Sequence, residues 1–143
     1  MKYNYKMTSQ YKWFHNRFFF HLFAAGVWLI VILLIFLFTI FDDKKLAFAF
    51  LICGCLLVIL FFGPILIYYG MKLAKITKDK YQIKEVKVVN VYEISSRKIQ
   101  ITILTDAKEN EEIIIYKIFL DPAISLKQDS KLNVLVGNSN ILI

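Results

Sequence analysis

Two uninterrupted apolar runs constrain this chain more than any other feature. The first is Phe18 to Phe41, FFFHLFAAGVWLIVILLIFLFTIF, whose only ionisable side chain is His21. The second is Leu46 to Gly70, LAFAFLICGCLLVILFFGPILIYYG, which carries no charge. A helix needs about 20 apolar residues to cross a bilayer at 1.5 Å rise per residue. Each run meets that length. Only Asp42, Asp43, Lys44 and Lys45 lie between them, enough to turn the chain but too few to re-cross a membrane. The expectation is an antiparallel transmembrane hairpin.

A secretory signal is the competing reading of the first run. Its apolar stretch would be about 7–15 residues followed by a small-residue cleavage site. This run has 24 residues and is followed by the acidic-basic turn, so a retained helix is expected. Composition supports the membrane assignment: 58% of the residues are hydrophobic and only 20% charged, against about 45–50% and 25% in soluble domains. By size, a chain of 143 residues is also not expected to form an ordinary soluble enzyme fold such as a TIM barrel or a doubly wound sheet.

Charge sets the orientation. Residues 1–17 hold Lys2, Lys6, Lys12 and Arg17 with no acid, and residues 72–84 hold five lysines against Asp79. The turn is neutral, and residues 85–143 carry seven bases and eight acids. The formal charge of +7 therefore sits on the two flanks expected to share one side of the membrane. By the positive-inside rule both termini are cytoplasmic, in a bacterial inner membrane. A nucleic-acid partner is not expected, because the polar domain itself is nearly neutral. Lys12, Arg17, Lys72, Lys75, Lys78 and Lys80 read instead as contacts to anionic lipid head groups. Tyr3, Tyr5, Tyr11, Trp13 and Phe14, with Tyr68 and Tyr69, suit interfacial aromatic belts.

The pattern changes to short alternating segments from Tyr81 onward. Strands are expected at Ile83–Ile94, Lys98–Thr105, Glu111–Leu120, Lys131–Val136 and Ile141–Ile143, with a bulge at Val88-Val89 where the apolar face shifts by one. Ile99, Ile101 and Ile103 share one face of the second strand. Five short antiparallel strands imply a small barrel of OB or SH3-like type. The expected fold class is thus membrane α + β, a two-helix hairpin followed by a five-stranded antiparallel β-barrel. Its segments are 1–17, basic and interfacial; 18–41 and 46–70, spanning; 42–45, the extracytoplasmic turn; 71–80, a juxtamembrane linker; and 81–143, the cytoplasmic barrel.

The closing stretch Lys127–Ile143, LKQDSKLNVLVGNSNILI when read from Leu126, runs from a polar turn through a V-x-V strand to a second polar turn and a last apolar strand. With the helices before it, this plan resembles the NfeD-type bacterial membrane proteins. It is also similar to bacterial membrane proteins whose small β-domain ends in a comparable strand and turn. The prolines and most glycines of both patterns are missing here. The resemblance implies an accessory membrane protein and brings no catalytic residue with it.

Candidate chemistry is sparse. Cys53 and Cys55 stand about 200° apart on a helix, so they cannot pair or chelate within it. His15 and His21 are six residues apart, off the spacing of a shared helical face, and read as interfacial side chains. Glu109, Glu111 and Glu112 at a hairpin end read as solvated carboxylates rather than a cation site. No nucleophile–base pair can be assembled in the β-domain, and no phosphate loop is present. The chain reads as a non-enzyme without a cofactor.

Packing gives the remaining candidates. Antiparallel helices at equal depth pair residues whose numbers sum to roughly 87, which sets Ala24, Ala25 and Gly26 opposite Phe61, Phe62 and Gly63. Small residues there would let the backbones approach, and Pro64 would kink the second helix. On the third strand, Ile114, Tyr116, Ile118 and Leu120 are expected to line the barrel. Ile113, Ile115 and Phe119 then face outward, apolar groups that a terminal segment of the chain, a partner subunit or second copy, or the membrane surface would cover, a partner being the favoured reading. The functional expectation is an accessory or scaffold protein whose barrel docks a partner or self-associates beside the bilayer. The alternative is an immunity or exclusion-type protein acting through its helices.

Overall fold

The computed structural model describes residues 4–104, 111–122, 124, 126–138 and 140–143. Two long helices precede a five-stranded antiparallel sheet that curls into a nearly closed barrel. The chain divides into two compact units, His15–Met71 and Met1–Phe14 with Lys72–Ile143.

Helix α1 spans Ser9–Thr39 and α2 spans Lys44–Lys78. Both are long and apolar enough to cross a membrane. Each start has a side-chain cap. The Thr8 hydroxyl accepts from the Tyr11 N–H at 3.4 Å, and the Asp43 carboxylate accepts from the N–H groups of Lys45 (2.9 Å) and Leu46 (3.2 Å). These oxygens satisfy amides that have no partner inside a helix. The Thr8 cap explains why α1 begins nine residues before the apolar run. Residues 71–78, expected as a linker, continue α2 instead, and α2 runs through Pro64.

Within His15–Met71, the antiparallel register is the expected one. A Cβ on Gly54 would meet the Ile32 side chain at 3.0 Å, Phe36 meets Phe48, and His21 stacks on Tyr69 at 5.7 Å. The small residues at the contact are largely different ones. Ala25 is buried and Ala24 half-buried, but Gly26 and Gly63 both face open space. Equal depth sets the level of a pair and leaves its face free. Gly63 lies nine residues from Gly54, about 180° round an ideal helix. Close approach therefore occurs at Gly54.

The second unit is built on β1 (Gln82–Ser95), β2 (Lys98–Leu104), β3 (Glu111–Tyr116), β4 (Lys131–Val136) and β5 (Ile141–Leu142), in the order β3-β2-β1-β4-β5. The β1–β2 register slips between Val88 and Asn90, placing a bulge at the expected site, and again between Glu93 and Ser95. Val86, Val88, Ile101, Ile103, Ile113, Ile115, Leu132, Val134 and Ile143 form the core. A second cluster joins Ile76 of α2 to Leu135 and Leu142, with Tyr5, Tyr11, Phe14 and Tyr81 against it. Residues 4–14 and the end of α2 thus pack with the barrel.

Candidate functional site

The strand order leaves β3 and β5 as the two edges of the sheet. Unpaired strand edges are costly to bury, because each peptide needs a hydrogen-bond partner. At this seam the partner is one side chain from α1. Gln10 Nε2 donates to the Ile114 carbonyl of β3 at 3.2 Å, and Gln10 Oε1 accepts from the Ile143 N–H at 3.0 Å. The Ser9 N–H donates to the Ile143 oxygen at 2.7 Å, and the Ser9 hydroxyl reaches Gln10 Oε1 at 3.1 Å. A carboxamide carries the same acceptor and donor as a peptide group, so Gln10 bridges the two edges as an inserted peptide unit would. Thr8, Ser9 and Gln10 are all buried here.

Aromatic packing extends the seam. Trp13 stacks on Tyr116, centroids 4.4 Å apart and planes 9° from parallel, while Phe14 meets the same ring edge-on. Lys98 Nζ lies 5.8 Å from that ring on the sheet. Tyr116 follows the outward-facing position of β3 yet is buried, because α1 covers it.

A polar hub ties α2 to the turn between β4 and β5. Asp79 accepts from the N–H groups of Lys80 (3.1 Å) and Asn138 (2.9 Å) and from Asn140 Nδ2 (3.3 Å). Gly137 lets the turn approach this hub closely, since a Cβ there would push aside the Asp79 carboxylate and the Tyr81 ring. The Tyr81 hydroxyl donates to the Ile76 carbonyl at 3.0 Å. Burial and the nearby Asp79 carboxylate push the Tyr81 phenol up to about 12.

The expected interface residues are not on the outer surface. Ile113 and Ile115 are buried in the core, and Phe119 is half-buried with its ring edge towards Trp13. Directly opposed residues share a face, and Ile101 pairs with Ile113 and Ile99 with Ile115. The strand also stops at Tyr116, and Lys117–Phe119 is a 3-10 turn. Carrying strict alternation through to Leu120 is what inverted the faces.

Among the described residues, the outward apolar side chains of the barrel are instead Ile83, Tyr92, Ile94, Leu104, Ile114 and Ile118, with Ile118 67% and Tyr92 65% exposed. Tyr92 pairs with Gln100 and Gln100 with Ile114, so the three form one row across β1, β2 and β3. The Lys117–Glu93 ion pair, at 2.5 Å, flanks it.

Of the predicted lipid contacts, Lys12, Lys72, Lys75, Lys78 and Lys80 are exposed and Arg17 is half-buried. Cys53 and Cys55 are free thiols on either side of Gly54. Glu111 and Glu112 lie on β3, whereas Glu109 lies outside the described residues. Sequence reasoning missed Ser9 and Gln10, and it read Tyr5, Tyr11, Trp13 and Phe14 as an interfacial belt where they pack with the barrel. The one signal available was Thr8-Ser9, hydroxyl residues of the kind that begin helices. Compared with known protein families, curated proteins and solved structures, the chain matches none.

Proposed function

We propose that this is a non-catalytic integral membrane accessory protein of the bacterial inner membrane. The hairpin spans the bilayer, both termini are cytoplasmic, and the barrel docks a protein subunit beside the membrane. The observation that carries the reading is the exposed row Tyr92–Gln100–Ile114, with Ile94 two residues along β1 from Tyr92. Large aromatic and aliphatic groups grouped on one face favour protein contact. Fully burying each is worth about 1.5–3 kcal/mol. The strand order and the open seam favour the OB-like reading of the barrel, a five-stranded form that is often only partly closed. The resemblance to NfeD-type membrane proteins points the same way.

The test uses the full chain, extracted in mild detergent. The wild type is expected in a complex of fixed composition, and Tyr92→Ser with Ile114→Ser should release the second subunit while the chain stays in the membrane. An unchanged complex mass in the double variant would overturn the docking face. A reporter active only in the cytoplasm should work when fused after Ile143, and activity of a periplasm-only reporter there would overturn the topology.

The open space beside Gly26 and Gly63 favours a second reading, in which a target's helix packs on the hairpin and the protein acts as an immunity or exclusion factor. In that case Gly63→Leu abolishes protection and the Tyr92, Ile114 double variant retains it.

A further inference from the structure

Four lysines at the ends of the two long helices are exposed and make no ion pair among the described residues: Lys12 on α1, Lys75 and Lys78 on α2, and Lys80 just beyond it. Lys87, Lys117 and Lys131 by contrast each form an ion pair on the barrel, with Asp129, Glu93 and Glu85. Asp79 is the only acid between positions 44 and 84. Its carboxylate is taken up by the Lys80 and Asn138 N–H groups and the Asn140 amide, which turns it towards the barrel.

Their placement is fixed by packing. Ile76 is buried against Leu135 and Leu142, which sets the rotation of this end of α2. At 100° per residue, Lys75 and Lys78 then project about 100° and 160° away from Ile76. A Cβ on Gly70 would touch the Phe18 ring at 3.5 Å, and this pair closes the apolar hairpin. In sequence, Lys75 and Lys12 stand five and six positions beyond Gly70 and Phe18, at the polar ends of the two apolar runs. The head-group layer on each side of a bilayer is about 5–8 Å thick, and lysine stems lie back along apolar surface with the charge in the polar layer.

We propose that Lys12, Lys75, Lys78 and Lys80 form a collar that binds the phosphate groups of anionic phospholipids. It rests on the membrane-spanning reading of the hairpin. Each lysine contributes about a fivefold preference for an anionic surface.

The experiment places the full chain in nanodiscs of phosphatidylcholine and of phosphatidylcholine mixed with phosphatidylglycerol, and measures which lipid stays bound after gentle extraction. The wild type should retain phosphatidylglycerol, with the preference falling about fivefold for each lysine replaced by Gln and falling further in high salt. Lys87→Gln with Lys131→Gln, which removes equal charge from the barrel, should leave the preference intact. Equal retention of both lipids by the wild type, or loss of the preference in the Lys87, Lys131 control, overturns the collar. Alkaline carbonate separates the two claims: a chain that washes off membranes defeats the spanning reading, whereas one that stays embedded without lipid preference defeats the collar alone.

Discussion

Ile59 in α2 and Ile103 in β2 are the same side chain in two settings. Ile59 is 63% exposed, and none of the most apolar window of α2 is buried. Ile103 is fully buried and shares its face with Ile101 and, across the strands, with Ile113. In water the exposure of the helices would be untenable, since a contiguous apolar surface of that size drives association. In lipid it would cost nothing, because the acyl chains are as apolar as the side chains. On the membrane-spanning reading proposed above, the two units therefore obey different rules. The hairpin needs only length and apolarity to be placed, and its helix contact depends on a close fit such as Gly54 against Ile32. The barrel depends on which residues face inward, and on closing its edges.

The widest separation between the two units should appear on truncating these isoleucines. Ile103→Ala is expected to destabilise the barrel by about 2–5 kcal/mol, the usual cost of a cavity at a buried aliphatic site. Ile59→Ala should leave barrel unfolding unchanged. Trp13, stacked on Tyr116, reports barrel unfolding in denaturant once Trp28 is replaced by Phe. Similar losses from both substitutions would break the comparison.

The seam offers a sharper version of the same contrast. Gln10→Leu keeps an apolar stem of similar length but leaves the Ile143 N–H and the Ile114 carbonyl without the bonds they make to Gln10. Leaving a buried polar group unpaired costs about 1–3 kcal/mol. Faster amide exchange at Ile143 and along β5, with hairpin amides unaffected, is the expected result. Unchanged exchange at Ile143 would show that the edges close without Gln10.

These contrasts also explain what could be read in advance. Both apolar runs, the neutral turn, the five strands and the bulge at Val88-Val89 follow from local composition and period, so they were legible. The inward face of β3 was not. It depends on the register with β2, which no local pattern fixes, and on the strand ending at Tyr116 instead of running to Leu120. Gln10 was beyond reach for another reason. Its partners lie 104 and 133 positions away along the chain, and a polar residue near a helix start looks the same whether it meets solvent or a strand edge. Gly63 shows the limit on the helical side, where depth was predictable and azimuth was not.

The smallest effect concerns pH and belongs to the barrel unit alone. The Tyr81 phenol titrates at about 12 in the fold, chiefly through burial and then through the Asp79 carboxylate, against an ordinary value of 10.0. The fold thus favours the neutral phenol. The stability this contributes is present in full below pH 10 and is lost as the pH climbs towards 12. Barrel unfolding followed by Trp13 should become easier over that interval, beyond the general effect of lysine deprotonation. Tyr81→Phe removes the titrating group, and with it the hydroxyl's bond to the Ile76 carbonyl, worth about 0.5–1.5 kcal/mol at any pH. The variant should therefore start less stable at pH 9 and decline less steeply than the wild type between pH 10 and 12. Parallel declines would mean that the alkaline loss arises elsewhere, and that the Asp79–Tyr81 hub holds α2 to the β4–β5 turn without sensing pH.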